Sequence, residues 1–205
     1  MIATWQRVLL KPGEEAFVEE SQQENANLTT GVIWMVIAGV VAGILGGIQA
    51  AIFAGSAGDL AGLMGGANLP PEVAGMVGSM MGGAGFAGII TIPVFFLIGA
   101  FIVHLLATVL GGQGDFGKLA YLIATYQAPI TIASAIIGLI PFLGGCVAAL
   151  LGIYALVLEY FAVKVNYSLT SGRAIAVVLI PIAIIVVLAL CVGVVFGAML
   201  AGFSN

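Results

Sequence analysis

Two ionisable side chains, His104 and Glu159, lie inside long apolar stretches of this sequence. Ionisable groups inside a membrane are costly and usually mark a functional site. At the helical rise of 1.5 Å per residue, they lie about 10 Å and about 7 Å from the same end of their stretches. The sequence therefore predicts one polar layer, in which a His104–Glu159 pair could bind a ligand or pass a proton.

A second interpretation of Glu159 stays open. Its side chain could extend to the membrane interface and pair there with Lys164 or Arg173. Further polar groups that fall near the same level would join either arrangement, and they are Tyr121, Thr125 and Gln127.

The composition shows what must position these groups. Of the 205 residues, 62% are hydrophobic and 7% are charged, whereas a soluble domain averages about 45–50% apolar and about 25% charged residues. We therefore expect an all-α integral membrane protein. The formal net charge of −4 makes nucleic acid an unsuitable partner.

Five apolar stretches are each long enough to cross a membrane as a helix. We divide the chain into an amphipathic N-terminal arm, residues 1–30, and a five-helix transmembrane domain, residues 31–205. The predicted spans cover residues 31–55, 85–110, 119–140, 142–163 and 174–199.

The basic residues predict the orientation. With five spans, every Lys and Arg falls on the side of the N-terminus, while the other side carries Asp59 and Glu72. By the positive-inside rule the N-terminus is cytoplasmic and the C-terminus lies outside.

The arm holds half of the charged residues, seven of 14, within its first 24 positions. It is either a solvated helix leading into the membrane or a docking arm for a partner. The residues that we expect to form such an interface are Trp5, Arg7, Lys11 and Phe17.

Small residues recur at every fourth position of the first span, which lets two helix backbones approach closely. This spacing predicts tight helix packing and leaves open whether the partner helix is internal or belongs to another subunit. The residues are Gly39, Gly43, Gly47, Ala51 and Gly55.

We expect no cofactor, metal site or catalytic residue. Residues 112–117 match the pattern G-x-G-x-x-G, but a dinucleotide site needs a preceding strand, and a glycine-rich turn between two spans explains the pattern better. Met76, Met80 and Met81 could hold a soft metal ion, although an interfacial helix is the better interpretation.

Several short motifs follow one another in a recognisable order. They are Trp5 with Pro12 and Phe17, the turn 111–116 before Leu119-Ala120-Tyr121, Ala128-Pro129, Leu139-Ile140-Pro141 before Gly144-Gly145, Val163-Lys164, the segment 168–174 and Ile180-Pro181. This order resembles the Yip domain family, the five-pass membrane proteins that interact with Ypt/Rab GTPases. The resemblance covers about residues 1–17 and 85–190.

The resemblance implies five spans, a cytoplasmic N-terminus and a role in membrane organisation or trafficking. Its eukaryotic members bind small GTPases and one another. Nothing in the short arm specifies a GTPase, and the plain architecture favours a bacterial-type member in the cytoplasmic membrane.

Two functions follow as hypotheses. The first is a non-enzymatic scaffold that binds the lipid bilayer, other membrane proteins or itself, either alone or as a small subunit of a larger complex. The second is a small transporter or channel component that uses the polar layer of His104 and Glu159. The near absence of polar groups from the outer half of the spans, apart from Gln49, favours the scaffold.

Overall fold

The structure is a computed structural model. It describes the backbone of residues 1–53, 71–140 and 143–203, and the side chains of residues 1–49, 87–140 and 144–194. Within these ranges it is all-helical, which confirms the predicted fold class. The helices are α1 (Ile2–Leu10), α2 (Glu14–Ser21), α3 (Leu28–Phe53), α4 (Pro71–Val109), α5 (Phe116–Ile137), α6 (Leu143–Tyr167) and α7 (Ser171–Phe203).

Five of these helices are long and apolar enough to cross a membrane, so the chain is an integral membrane protein. The qualifying segments are Leu28–Gln49, Ala87–Val109, Phe116–Ile137, Gly144–Tyr167 and Ser171–Val194. The two short helices α1 and α2 form the N-terminal arm.

Local sequence signals explain where the helices begin. The Asn27 side chain accepts a hydrogen bond from the Thr30 amide (3.0 Å) at the start of α3. Asp115 does the same for the Lys118 amide (2.8 Å) at the start of α5. Both are N-cap residues that satisfy an otherwise unpaired amide.

A glycine ends α4. Gly111 has a left-handed backbone (φ 88°), and its amide bonds to the Thr108 carbonyl while the next amide, of Gly112, reaches back to Ala107. This pair of hydrogen bonds is the Schellman motif, which needs a residue that tolerates positive φ. The chain can therefore turn at once into α5.

The end of the bundle that carries the arm is the better packed one, and we call it the arm end. There α5 lies at the centre, with every residue from Leu119 to Tyr126 buried, and it packs against α3, α6 and the arm. By contrast, α7 is exposed on all sides from 183 to 194.

The small-residue face of α3 meets α4 of the same chain. A Cβ atom added to Gly39 would lie 3.2 Å from Cδ of Pro93, and one added to Gly88 would lie 3.6 Å from Cα of Gly43. The backbones therefore approach closely, as small residues permit. Of the remaining residues in this series, Gly47 lies on α3, the side chain of Ala51 is outside the described part, and Gly55 lies outside it altogether.

Candidate interaction site at the arm end of the bundle

The arm is packed into the bundle: α1 lies on α5, and α2 lies on α6 and α5. Phe17 of α2 is fully buried. Its ring stacks on Phe161 of α6 (centroids 6.3 Å apart) and meets the edge of Tyr126 of α5 (6.4 Å). Such aromatic contacts add to the energy of burial, so Phe17 anchors α2 between two spans.

A buried carboxylate lies beside this anchor. Glu20 is only 1% exposed, and both of its oxygens are bound. Oε1 accepts a hydrogen bond from Nη1 of Arg7 (3.1 Å), and Oε2 accepts one from the Tyr121 hydroxyl (3.1 Å). The same guanidinium contacts Glu19 at 2.6 Å. A buried charge is tolerated only when it is paired in this way, and this one joins α1, α2 and α5.

A row of aromatic rings continues the contact from α1 into the bundle. Trp5 meets Trp34 of α3 edge to face (centroids 6.1 Å apart), and Trp34 lies 5.3 Å from Tyr121. The indole N–H of Trp5 is buried and has no hydrogen-bond partner in the described part of the chain. The row binds α1 to two spans mainly by apolar contact.

Two polar contacts attach the arm to α6. The Tyr154 hydroxyl donates a hydrogen bond to the carbonyl of Leu9 (2.6 Å), which is one of the last carbonyls of α1 and lacks a helical partner. Lys164 forms an ion pair with Glu14, at the start of α2. The arm thus contacts α3, α5 and α6 through separate groups.

His104 and Glu159, the residues of the predicted polar layer, have different surroundings. His104 Nδ1 hydrogen-bonds with the Tyr167 hydroxyl at the end of α6, and its ring packs against Phe116 (centroids 5.5 Å apart). Glu159 is half-buried on α6, and in the described ranges it forms no hydrogen bond or ion pair. Lys164, its suggested partner, pairs with Glu14 instead.

The other polar groups of that layer also separate. Tyr121 bonds to Glu20 and so belongs to the arm contact. Thr125 is buried and donates to the Leu122 carbonyl of its own helix (2.6 Å). Gln127 is half-buried and has no hydrogen bond among the residues described.

The glycine-rich segment 111–117 comprises the turn after α4 and the first two residues of α5, and it packs on the end of α6. A Cβ atom added to Gly114 would lie 2.7 Å from the Asn166 carbonyl and from the Tyr167 ring, and one added to Gly112 would lie 2.7 Å from Cβ of Tyr167. The Asn166 side chain donates to the Asp115 carbonyl (2.9 Å). The turn therefore holds α4, α5 and α6 together at the arm end.

One known protein family matches both the arm and the spans of this chain. The Yip1 domain matches residues 7–193. The chain belongs to the Yip1 domain family. This confirms the resemblance seen in the sequence. No curated protein and no solved structure gave a significant match.

The Yip1 match begins at Arg7 and therefore takes in most of the arm as well as the spans. It includes both ends of the Glu20–Tyr121 contact. In this Yip1 protein the arm is thus part of the matched domain, as its packing against the bundle also indicates.

Glu20, Tyr154 and Tyr167 are among the residues of this Yip1 site that the sequence did not single out. Glu20 stands in an acidic run, which is typical of a solvated face. The spacing of the residues nevertheless carried a signal. Glu20 is four positions after Ala16 and three after Phe17, so the three share one helix face, and the structure buries that face. The two tyrosines lie in apolar stretches, where an aromatic ring usually packs as a hydrophobic side chain. Only the hydrogen-bond partner of each hydroxyl group shows that it joins two helices.

Proposed function

We propose that this Yip1 domain protein is a non-enzymatic membrane scaffold that assembles with further copies of itself through α7. One observation carries the proposal. From 183 to 194 every residue of α7 is exposed, a length of more than three helical turns. A span whose residues are all exposed over this length presents its surface to the bilayer and to other proteins.

The composition of this exposed segment suits a helix partner. Ile185 and Val194 are 64% and 72% exposed, and an added Cβ at Gly193 would meet nothing within 4 Å. Membrane helices associate by close packing, which small residues permit. The second copy would therefore approach α7 near Gly193.

The polar groups of the bundle also support a scaffold over a transport protein. A transport route needs polar side chains that face a cavity. Here His104 is bound to Tyr167, Glu20 to Arg7 and Tyr121, and the Gln49 amide donates to the Gly138 carbonyl (2.6 Å). These groups join helices to one another.

A native cysteine makes the test direct, since Cys191 is exposed within the segment and Cys146 is exposed on α6. Membranes that contain the protein are treated with copper phenanthroline and oxygen, which oxidise two nearby thiols to a disulfide. We expect a cross-linked dimer that survives Cys146→Ser and is lost with Cys191→Ser. A monomer throughout, or a dimer that needs only Cys146, would refute assembly through α7.

A transporter or channel component is the second candidate, because Glu159 lies within a span without a hydrogen bond or ion pair among the described residues. A liposome assay of proton or cation flux tests it. Flux that is lost in Glu159→Gln and His104→Ala would support this function. Absence of flux through the parent protein would remove it.

We further propose that the arm end faces the cytoplasm of a bacterial-type cell. All five basic residues lie in the arm or next to the helix ends that meet it, at Arg7, Lys11, Lys118, Lys164 and Arg173, as the positive-inside rule requires. In a background of Cys146→Ser and Cys191→Ser, Lys11→Cys should react with an impermeant maleimide in inside-out vesicles. Labelling in intact cells instead would reverse this orientation.

A further inference from the structure

A cleft of about 610 Å³ opens between the arm and α6. Phe161 forms its apolar wall, six residues before α6 ends at Tyr167. At 1.5 Å per residue this is about 9 Å from the helix end, so the apolar wall belongs to a segment that is long and apolar enough to cross a membrane. The cleft is therefore placed where a lipid could enter it from the membrane.

The charged residues around the cleft are Arg7, Lys11, Glu14, Glu15 and Glu19. Most of them already have partners inside the protein. Glu14 pairs with Lys164, and Glu19 pairs with Arg7. In the part of the chain that the structure describes, Lys11 and Glu15 form no ion pair or hydrogen bond through their side chains, and both are exposed. The charges left for a ligand are thus one cation and one carboxylate.

We propose that this cleft binds a phospholipid with a phosphoethanolamine headgroup. Lys11 attracts the phosphate. Arg7 also contributes to phosphate binding, because its guanidinium has five N–H donors and its pairing with Glu19 and Glu20 leaves some of them free. Glu15 accepts hydrogen bonds from the primary ammonium. The acyl chains leave along the Phe161 wall into the bilayer.

The pair of free charges separates this headgroup from the other common ones. A phosphoglycerol headgroup has no cation for Glu15. A phosphocholine headgroup carries a cation, but its trimethylated nitrogen has no N–H to donate. Of these three headgroups, only phosphoethanolamine offers Lys11 an anion and Glu15 a cation that also donates hydrogen bonds, so the cleft selects by hydrogen bonding as well as by charge.

Lipid retention by the full-length protein tests the proposal. The protein is placed in nanodiscs with equal amounts of phosphatidylethanolamine, phosphatidylcholine and phosphatidylglycerol of matched acyl chains, and native mass spectrometry counts the lipids that stay bound. We expect a phosphatidylethanolamine to be retained at least about threefold over the others, the effect of a modest exposed charge contact.

Two variants assign the two charges. Lys11→Gln should reduce retention of all three lipids, because each of them carries the phosphate. Glu15→Gln should leave phosphate binding in place and weaken the preference for phosphatidylethanolamine over phosphatidylcholine, because an amide oxygen accepts a weaker hydrogen bond from the ammonium than a carboxylate does. The matched controls, Lys118→Gln and Glu24→Gln, remove exposed charges that do not line the cleft and should change neither result.

Three outcomes would overturn the proposal. The parent protein could retain the three lipids equally, the control variants could act like the cleft variants, or Glu15→Gln could leave the headgroup preference intact. Soluble glycerophosphoethanolamine supplies a further test. If it displaces bound phosphatidylethanolamine with the same affinity as the intact lipid, the cleft binds a free phosphate ester and not a membrane lipid.

Discussion

The Glu20 carboxylate accepts a hydrogen bond from the Tyr121 hydroxyl at 3.1 Å, across 101 positions of the sequence. Glu20 belongs to the arm and Tyr121 to the central helix of the bundle. Because Glu20 is nearly inaccessible to solvent, neither group can exchange this partner for water while the arm is docked. The contact therefore couples the position of the arm to the packing of α5.

Loss of the Glu20 carboxylate should release the arm. Glu20→Ala leaves the Tyr121 hydroxyl without its partner, and Arg7 keeps only Glu19. We expect the state in which the arm is undocked to become at least about tenfold more populated, because a buried hydrogen bond to a charged group is lost. Trypsin cleavage between Arg7 and Val8 measures this, since Val8 is buried when the arm is docked. Glu24→Ala is the control, and equal cleavage of both variants would contradict the prediction.

Removal of the Phe17 ring should destabilise the docked arm strongly. Phe17→Ala deletes a fully buried ring between Tyr126 and Phe161, a change that typically costs about 3–5 kcal/mol. Thermal unfolding in detergent, followed together with cleavage after Arg7, measures the loss. The adjacent Val18→Ala alters a residue that is 40% exposed and should have little effect. Comparable losses in both variants would show that Phe17 is not the anchor.

The contact between His104 and Tyr167 should appear as an energetic coupling between α4 and α6. A double-mutant cycle with His104→Phe and Tyr167→Phe leaves an aromatic ring at each position and removes the hydrogen bond. We expect a coupling of about 0.5–1.5 kcal/mol in the free energy of unfolding. A cycle of Thr91→Val with Tyr167→Phe should be additive, because Thr91 bonds to Ala87 of its own helix. Additivity in the His104 cycle would deny the contact.

Substitution of the turn glycine should be costly for steric reasons. In Gly114→Ala the added methyl group would lie 2.7 Å from backbone and ring atoms of the α6 end, and relief of such a clash typically costs about 1–3 kcal/mol. Gly152→Ala adds the same group on α6 with nothing within 4 Å, and should stabilise the helix by up to about 1 kcal/mol. Unfolding of the two variants in the same detergent compares them, and equal stabilities would contradict the packing of the turn.

Much of the fold could be predicted because its signals are local. Span lengths follow from runs of apolar residues, and the turn between α4 and α5 follows from Gly111 and Asp115, whose roles depend on their own backbone and on the next few residues. The family resemblance rested on motifs of the same local kind. For the arm, the sequence singled out Trp5, Arg7, Lys11 and Phe17 as residues that would bind a partner, because aromatic and basic residues stand out in a short segment. The structure shows Trp5, Arg7 and Phe17 in contacts within the same chain, and the prediction that the arm docks a partner stays a prediction.

The sequence by itself determined an all-helical membrane protein with five spans and basic residues gathered in the segments at one end. Tertiary structure decided that the acidic run of the arm contains a buried residue, Glu20, and that His104 bonds to Tyr167. The physical reason is that hydrophobicity and helix signals act over a few residues, whereas the partner of a polar side chain depends on which helices pack together. Glu20 and Tyr121 meet only once α2 lies against α5.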